Sequence, residues 1–166
     1  MDKFHEQLLR TQKSGLYKML QFSMYFSIVL IVLLMGTSLA AGNISMLIIM
    51  AMLVAGAFAS KIMRDRQYKE YEYIFTNGNL QIDVIYSKKK RKTLYDIDVK
   101  NFEEFGKISE VNVSSGVKKV ICIPWDNKDE KYVFLASANG KQAVYIAPNE
   151  DILKYIKLYV VKRTKF

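Results

Sequence analysis

The sequence has one cysteine, one histidine and, from Met19 to Ser60, no charged residue. A single cysteine excludes an intramolecular disulfide. One cysteine and one histidine are also too few ligands for a zinc site. Cys122 stands in an apolar run, which predicts a small buried hydrophobe. The uncharged stretch disfavours a proton relay or ion pathway. Because we find no phosphate-binding glycine loop, nucleophile elbow or metalloprotease helix, we predict no enzymatic activity, cofactor or metal.

Two apolar runs fill the uncharged stretch, with small and polar residues at 36–45 between them. Each run is close to the length of about 20 residues that a bilayer-spanning helix needs. We therefore predict two transmembrane helices, at about 19–40 and 44–63, in an antiparallel hairpin. The first run could also belong to a signal peptide, but it is longer than the usual apolar core of about 7–15 residues.

Lysine and arginine lie on both flanks of this hairpin and not in its connection. Four precede the first run and four follow the second, at Lys61, Arg64, Arg66 and Lys69. By the positive-inside rule, we predict that both termini are cytoplasmic. Residues 1–18 are predicted to be a cytoplasmic tail or an interfacial helix, because their apolar face is weak.

Ala51, Ala55 and Ala59 recur at four-residue spacing on the second predicted helix. Small residues at this spacing let helices approach closely in lipid. The stripe has two interpretations, which are packing against the first helix and an interface with another chain. The other chain would be a second copy or a component of a larger membrane complex.

From residue 64 to 166 the pattern predicts a mainly-β domain of about seven antiparallel strands, capped by a C-terminal helix. Tyr71, Tyr73 and Phe75 alternate before an Asn77-Gly78 turn, which is a strong hairpin signal. Asn149 is the predicted N-cap of the final amphipathic helix. Such strands close into a small barrel or a sandwich. The other predicted strands lie around Leu80–Val84, Tyr95–Val99, Val111–Val113 (the weakest), Val117–Trp125, Lys131–Ala138 and Gln142–Ala147.

The segment YEYIFTNGNLQID, residues 71–83, resembles the opening hairpin of a family of small membrane proteins from Gram-positive anaerobic bacteria. The basic turn after it, the IDVKNF segment at 97–102 and the PNE helix start at 148–150 are similar in order and spacing. The resemblance implies two transmembrane helices followed by a bacterial pleckstrin-homology-like (PH-like) domain. It also implies a multi-pass protein of the bacterial cell membrane, and it implies no activity.

One basic run is the main candidate site, formed by Lys88, Lys89, Lys90, Arg91 and Lys92. Consecutive cations in a turn suit lipid phosphates, although a solvated turn has the same composition. Pleckstrin-homology domains that bind phosphoinositides use basic residues near the first hairpin. Here the first hairpin turns at Asn77-Gly78, and the basic run comes one turn later.

Three other features are weaker candidates. Asp96 and Asp98 share a strand face without a partner histidine, so we interpret them as solvent-facing. Trp125 follows Pro124 and is interpreted as a core or rim aromatic, with a peptide groove as the alternative. The net charge of +9 favours an anionic membrane over nucleic acid, for which no recognition motif is present.

Three functions remain open on these grounds. The first is a membrane-tethered binding or scaffolding module with a protein partner. The second is an anionic-lipid sensor that acts through Lys88–Lys92. The third is an accessory subunit or homo-oligomer that associates through the alanine stripe.

Overall fold

The computed structural model of the chain describes residues 3–41, 44–137, 140–160 and 164–165. It divides into two units: a helical unit, Gln12–Tyr68, and a β unit made of the residues up to Thr11 together with those from Lys69 onward. The β unit is therefore discontinuous in sequence, because the helical unit is inserted into it.

The helical unit consists of α1 (Gly15–Ala41) and α2 (Ile44–Gln67). Both extend beyond the predicted ranges of about 19–40 and 44–63, because helical hydrogen bonding continues into the polar flanks. Gly42 and Asn43 of the predicted connection lie outside the described residues. The segments Gly15–Gly36 and Ile44–Gln67 are long and apolar enough to cross a membrane. These two candidate spans associate the protein with a membrane.

The two helices contact each other through one side of α2. Ser23 Oγ lies 3.5 Å from Ser60 Oγ, and the Arg64 guanidinium is 6.0 Å from the Tyr17 ring centroid. Arg64 Nη1 also donates to the sulfur of Met24 at 3.7 Å. Arg64 thus lies along α1, where its long stem can pack on apolar surface.

Four antiparallel strands form the first sheet, in the order β1 (Phe4–Arg10), β2 (Lys69–Thr76), β3 (Asn79–Tyr86) and β4 (Lys90–Asp98). Strands β2 and β3 and the turn between them agree with the predicted hairpin. Asn77 and Gly78 both have positive φ, at 48° and 98°. Such a turn matches the right-handed twist of the strands that it joins.

Strand β1 corrects the interpretation of residues 1–18 as a tail or interfacial helix. Residues 4–10 pair with β2 along its whole length, from Phe4 opposite Thr76 to Arg10 opposite Glu70. Gln7 additionally hydrogen-bonds to the Ala147 carbonyl and the Asn149 amide at 3.1 and 2.7 Å. This segment is part of the β unit because its backbone groups complete the edge of β2.

The second sheet has the order β6-β8-β7-β5-β9. Pairing is antiparallel between β5 and β7 and between β7 and β8, and it is parallel between β6 and β8 and between β5 and β9. The bounds are β5 (Glu104–Lys107), β6 (Lys118–Ile121), β7 (Tyr132–Ala136), β8 (Gln142–Ile146) and β9 (Thr164–Lys165).

This sheet corrects four expectations. The pairing is not antiparallel throughout, and the two sheets do not close into a barrel. The predicted strand Val117–Trp125 is shortened to the four residues of β6, at the sheet edge. Val111 and Val113 lie outside any strand and pack over Val133 and Leu135. Ala138 and Asn139, in the predicted turn between β7 and β8, are outside the described residues.

Aromatic side chains from both sheets fill the core between them. Phe102 and Phe134 stack with ring centroids 4.1 Å apart, and Tyr95 meets Phe134 edge-on at 5.6 Å. Tyr73 is fully buried, where its hydroxyl donates to the Cys122 carbonyl at 2.7 Å and accepts from the Ala147 amide at 3.1 Å. These contacts join the first sheet to the chain after β6 and β8.

Helix α3 (Glu150–Tyr159) covers the core at the Asn77-Gly78 end of the first sheet. Asn149 caps it as predicted, its side chain accepting from the Ile152 amide. Ile152 and Ile156 are fully buried. A Cβ on Gly78 would lie 2.7 Å from Cδ1 of Tyr159, so glycine is required there both by backbone conformation and by this close approach.

Candidate functional site

The basic run lies in the hairpin between β3 and β4, and only part of it is a turn. Ser87, Lys88 and Lys89 form the turn, with the Lys89 amide donating to the Tyr86 carbonyl at 2.9 Å. Lys90, Arg91 and Lys92 open β4, which corrects the prediction of a five-residue turn. Ser87 and Lys88 both have positive φ, at 49° and 59°, a conformation that costs free energy in residues other than glycine.

Arg91 is held by buried carboxylates on the outer face of the first sheet. Its Nη2 lies 3.0 and 2.8 Å from the two carboxylate oxygens of Glu72, and its Nη1 lies 3.7 Å from Asp83. Gln81 donates to the same Asp83 carboxylate at 3.0 Å. Burial raises the pKa of Glu72, and Arg91 opposes that rise. Arg91 therefore anchors the hairpin, because an unpaired buried carboxylate is costly.

The four lysines of the run are exposed. Lys88, Lys89, Lys90 and Lys92 have no ion pair within the described part of the chain. The run therefore divides into one structural cation and four solvent-facing ones. The sequence alone does not reveal this division, because the partners of Arg91 come from β2 and β3.

Strand register places the basic turn at a particular end of the first sheet. Lys69 of β2 pairs with Tyr86 of β3, and Tyr86 pairs with Lys90 of β4. Lys69 Nζ lies 5.8 Å from the centroid of the Tyr86 ring. The Thr11 amide donates to the Lys69 carbonyl at 3.2 Å. The basic turn therefore shares this end, which we call the basic end, with the two points where the chain leaves for the helices and returns.

The alanine stripe lies on the exposed side of α2. At 100° per residue, Ala55 is opposite the partly buried line of Leu53, Ala57, Ser60 and Arg64. Since α1 contacts Ser60 and Arg64, its contact surface is not the alanine stripe. The interpretation that the stripe packs against α1 does not fit this placement.

The remaining candidates are dispersed. Asp98 accepts from the Lys100 amide and caps a single 3₁₀ turn, while Asp96 is exposed. Cys122 is fully buried, and burial raises the pKa of its thiol to about 12, so it stays protonated at neutral pH. Trp125 is 69% exposed, so it is not a core aromatic, and its exposure is compatible both with a rim position and with a peptide groove.

Trp125 lines a groove, which is the alternative interpretation of this residue from the sequence. The groove is on the outer face of the second sheet, beside edge strand β6, and has a volume of about 390 Å³. Its walls combine apolar and basic side chains, chiefly Ile108, Lys119, Ile121, Trp125, Lys131 and Tyr145. We call it the β6 groove.

Two packed sheets, a C-terminal helix and two apolar helices make up the architecture of this protein, which agrees with a PH-like domain joined to two candidate membrane-spanning helices. The profile of the family described as bacterial PH-like domain (DUF6106) matches residues 1–165, and the chain belongs to this family. The match confirms the resemblance inferred from the sequence. The function of the family is unknown. No curated protein and no solved structure gives a significant match to the chain.

Proposed function

We propose that this protein is a membrane-anchored binding module whose β unit contacts the anionic surface of its membrane through the basic end. The observation that carries the proposal is the strand register described above. It brings the exposed lysines of the β3–β4 hairpin to the same end of the sheet as Thr11 and Lys69. Through those two residues the chain leads to and from the apolar helices.

Short connections support a lipid contact at this end. Only Tyr68 lies between α2 and β2, and three residues, 12–14, lie between Thr11 and α1. An extended chain advances at most about 3.6 Å per residue. If the helices cross a bilayer, Lys69 therefore stays within about 7 Å of the end of α2. The basic turn lies at the same end of the first sheet as Lys69, which supports a contact between this turn and the headgroups.

The charge at the basic end suits this contact. Each basic residue near an anionic leaflet contributes about 1 kcal/mol, so the four free lysines would contribute about 4 kcal/mol. Arg91 adds little to this sum, because Glu72 and Asp83 already neutralise it. The attraction is electrostatic and depends on salt, since the Debye length falls from about 10 Å at 0.1 M to about 3 Å at 1 M.

We place the β unit in the cytoplasm. Support comes from the excess of lysine and arginine on both flanks of the helices. It also comes from the pairing of β1 with β2 in one sheet, because these strands precede and follow the hairpin. A chain that crosses a bilayer twice returns to the side on which it began, as this pairing requires.

A fluorophore at the turn tests the lipid contact in the full chain. Ser87→Cys is labelled and the protein is placed in nanodiscs of phosphatidylcholine, with or without phosphatidylglycerol, that carry a headgroup quencher. Cys122 takes no label because it is buried and protonated. We expect strong quenching only with phosphatidylglycerol, and its loss at 1 M salt. Equal quenching in both lipids would contradict the proposal.

Matched variants separate this contact from general charge. Exchange of Lys88, Lys89, Lys90 and Lys92 for glutamine should reduce quenching to its level in phosphatidylcholine, since Arg91 still anchors the hairpin. The control exchanges four exposed lysines elsewhere, Lys100, Lys128, Lys141 and Lys154, and should change little. A label at Thr76→Cys, about 24 Å along β2 from Lys69, should stay unquenched.

As a second candidate, we propose that the protein forms homo-oligomers through the alanine stripe. The supporting observation is that Ala51, Ala55 and Ala59 point away from α1. We expect Ala55→Cys to form disulfide-linked dimers on mild oxidation in native membranes. Val54→Cys is the control, because it is also exposed but lies 100° around the helix. Equal crosslinking at both positions would indicate random collision.

A further inference from the structure

We infer that the β6 groove binds an extended protein segment in which an acidic and an apolar residue alternate with other residues. The segment would pair with β6 and extend the second sheet. This inference names a partner class for the proposed binding module, and it does not depend on the lipid contact of the basic end. Three features of the groove carry it.

The first feature is an open strand edge. β6 is the outermost strand of its sheet and pairs only with β8 among the described residues. The Cys122 amide donates to the Tyr145 carbonyl, toward β8. Since successive residues of a strand direct their backbone groups to opposite sides, those of Lys119 and Ile121 face the open edge. A peptide strand can supply hydrogen-bond partners there, whereas lipid chains cannot.

The second feature is apolar surface that the β unit leaves uncovered. Ile121 is 65% exposed and Trp125 is 69% exposed, although both belong to residue types that are usually buried. Tyr145, opposite Ile121 in the β6–β8 register, lines the groove beside them. An exposed aromatic and aliphatic pair in a concave site is typical of a binding surface.

The third feature is unneutralised positive charge within the groove. Lys119 and Lys131 form no ion pair within the described ranges. Glu130, beside Lys131 in sequence, pairs with Lys107 and accepts from the Tyr132 hydroxyl at 2.7 Å. The groove therefore complements an acidic ligand.

The register of β6 specifies the ligand pattern further. Lys119 and Ile121 are two residues apart, so their side chains lie on the same face. On an added strand, the residues opposite them are also two apart and also share that face. An acidic residue opposite Lys119 and an apolar residue opposite Ile121 give the pattern acidic-x-apolar.

The test uses a defined probe and the full chain in phosphatidylcholine nanodiscs. The probe is the peptide Thr-Glu-Thr-Leu-Thr-Glu-Thr, which reads the same in both directions and so suits either strand orientation. The control peptide has lysine in place of glutamate. Trp125 is the sole tryptophan of the chain, so its emission reports on the groove without a label. We expect a saturable blue shift with the acidic peptide and none with the basic one.

Variants make the result specific to the groove. The double variant Lys119→Glu, Lys131→Glu should lower the affinity for the acidic peptide at least about ten-fold and allow the basic peptide to bind. Ile121→Ser should lower the affinity for the acidic peptide by about ten-fold. Circular dichroism should remain unchanged in both, because these side chains are at the surface.

Other outcomes would overturn the inference. An equal response to both peptides, or a shift that survives the charge reversal, would show that the groove is not a site for acidic strands. A blue shift that needs phosphatidylglycerol and no peptide would assign the groove to the membrane instead. None of these results affects the lipid test at Ser87, which uses a different position and readout.

Discussion

A chain that lacks residues 3–11 should lose the cooperative unfolding transition of its β unit. Deletion removes all pairing between β1 and β2, the buried Leu9 side chain and the two hydrogen bonds of Gln7. It also exposes the β2 backbone, and an open edge promotes aggregation. The combined loss is comparable to the whole stability of a small domain, about 5–15 kcal/mol. Near-ultraviolet circular dichroism of the full chain in detergent, followed during heating, measures the transition.

Point variants show whether the strand itself is responsible. Leu9→Ala should cost about 2–5 kcal/mol if its site cannot collapse, because Leu9 is buried. The double exchange of Phe4 and Leu8 for serine is the control, since both side chains are exposed and surface changes usually cost about 0.5 kcal/mol or less. An unchanged transition in the truncated chain would mean that β1 contributes no stability.

Phe134→Ala should be the most damaging single exchange in the core, at about 3–5 kcal/mol. Phe134 is fully buried in the middle of β7, stacked on Phe102 and edge-on to Tyr95. Its removal leaves a cavity between the sheets and ends two ring contacts, each worth about 0.5–1.5 kcal/mol beyond the area buried. Chemical denaturation with tyrosine dichroism as the signal gives the free energy of unfolding.

Phe134→Leu provides the matched comparison for this exchange. It keeps most of the side-chain volume and loses only the ring, so we expect a cost of about 1–2 kcal/mol. Exposed Phe22 lies in α1 and outside the β unit, so Phe22→Ala should not change the tyrosine signal of that unit. If Phe134→Ala and Phe134→Leu cost the same, the ring stacking and not the cavity would dominate.

The sequence predicts the parts of this fold that depend on local signals. The β2–β3 hairpin follows from alternation around Asn77-Gly78, and α3 follows from its Asn149 cap. Strand β1 is missed because its partner residues in β2 lie 60 to 72 positions away and because Leu8 and Leu9, adjacent and both apolar, break the alternation. Parallel pairing of β6 with β8 is likewise a non-local property. The predicted strand Val117–Trp125 is too long because only its first part forms β6, whereas its last residues line the groove.

The candidate surfaces also combine features that the local sequence predicts with features that only the folded sheets create. The basic run is evident in the sequence, but the separate role of Arg91 depends on Glu72 and Asp83, which only the sheet brings to it. The location of the run at the basic end depends on register and on the return of the chain at Lys69. Trp125 after Pro124 is the local signal for the β6 groove, and its exposure in the structure excludes only a position in the core.

The insertion of the helices between β1 and β2 also determines the order in which the chain can assemble. The ribosome produces β1 first, and the nearest paired residue of β2, Glu70, follows Arg10 by 60 residues. At about 5–20 residues per second, β1 waits about 3–12 s for β2. If the hairpin crosses a bilayer, a chain that fails to return to its starting side can never form this ladder. The first sheet would then be complete only in chains whose two helices have both crossed the bilayer. In a misinserted chain, the edge of β2 would stay unpaired and accessible to proteases.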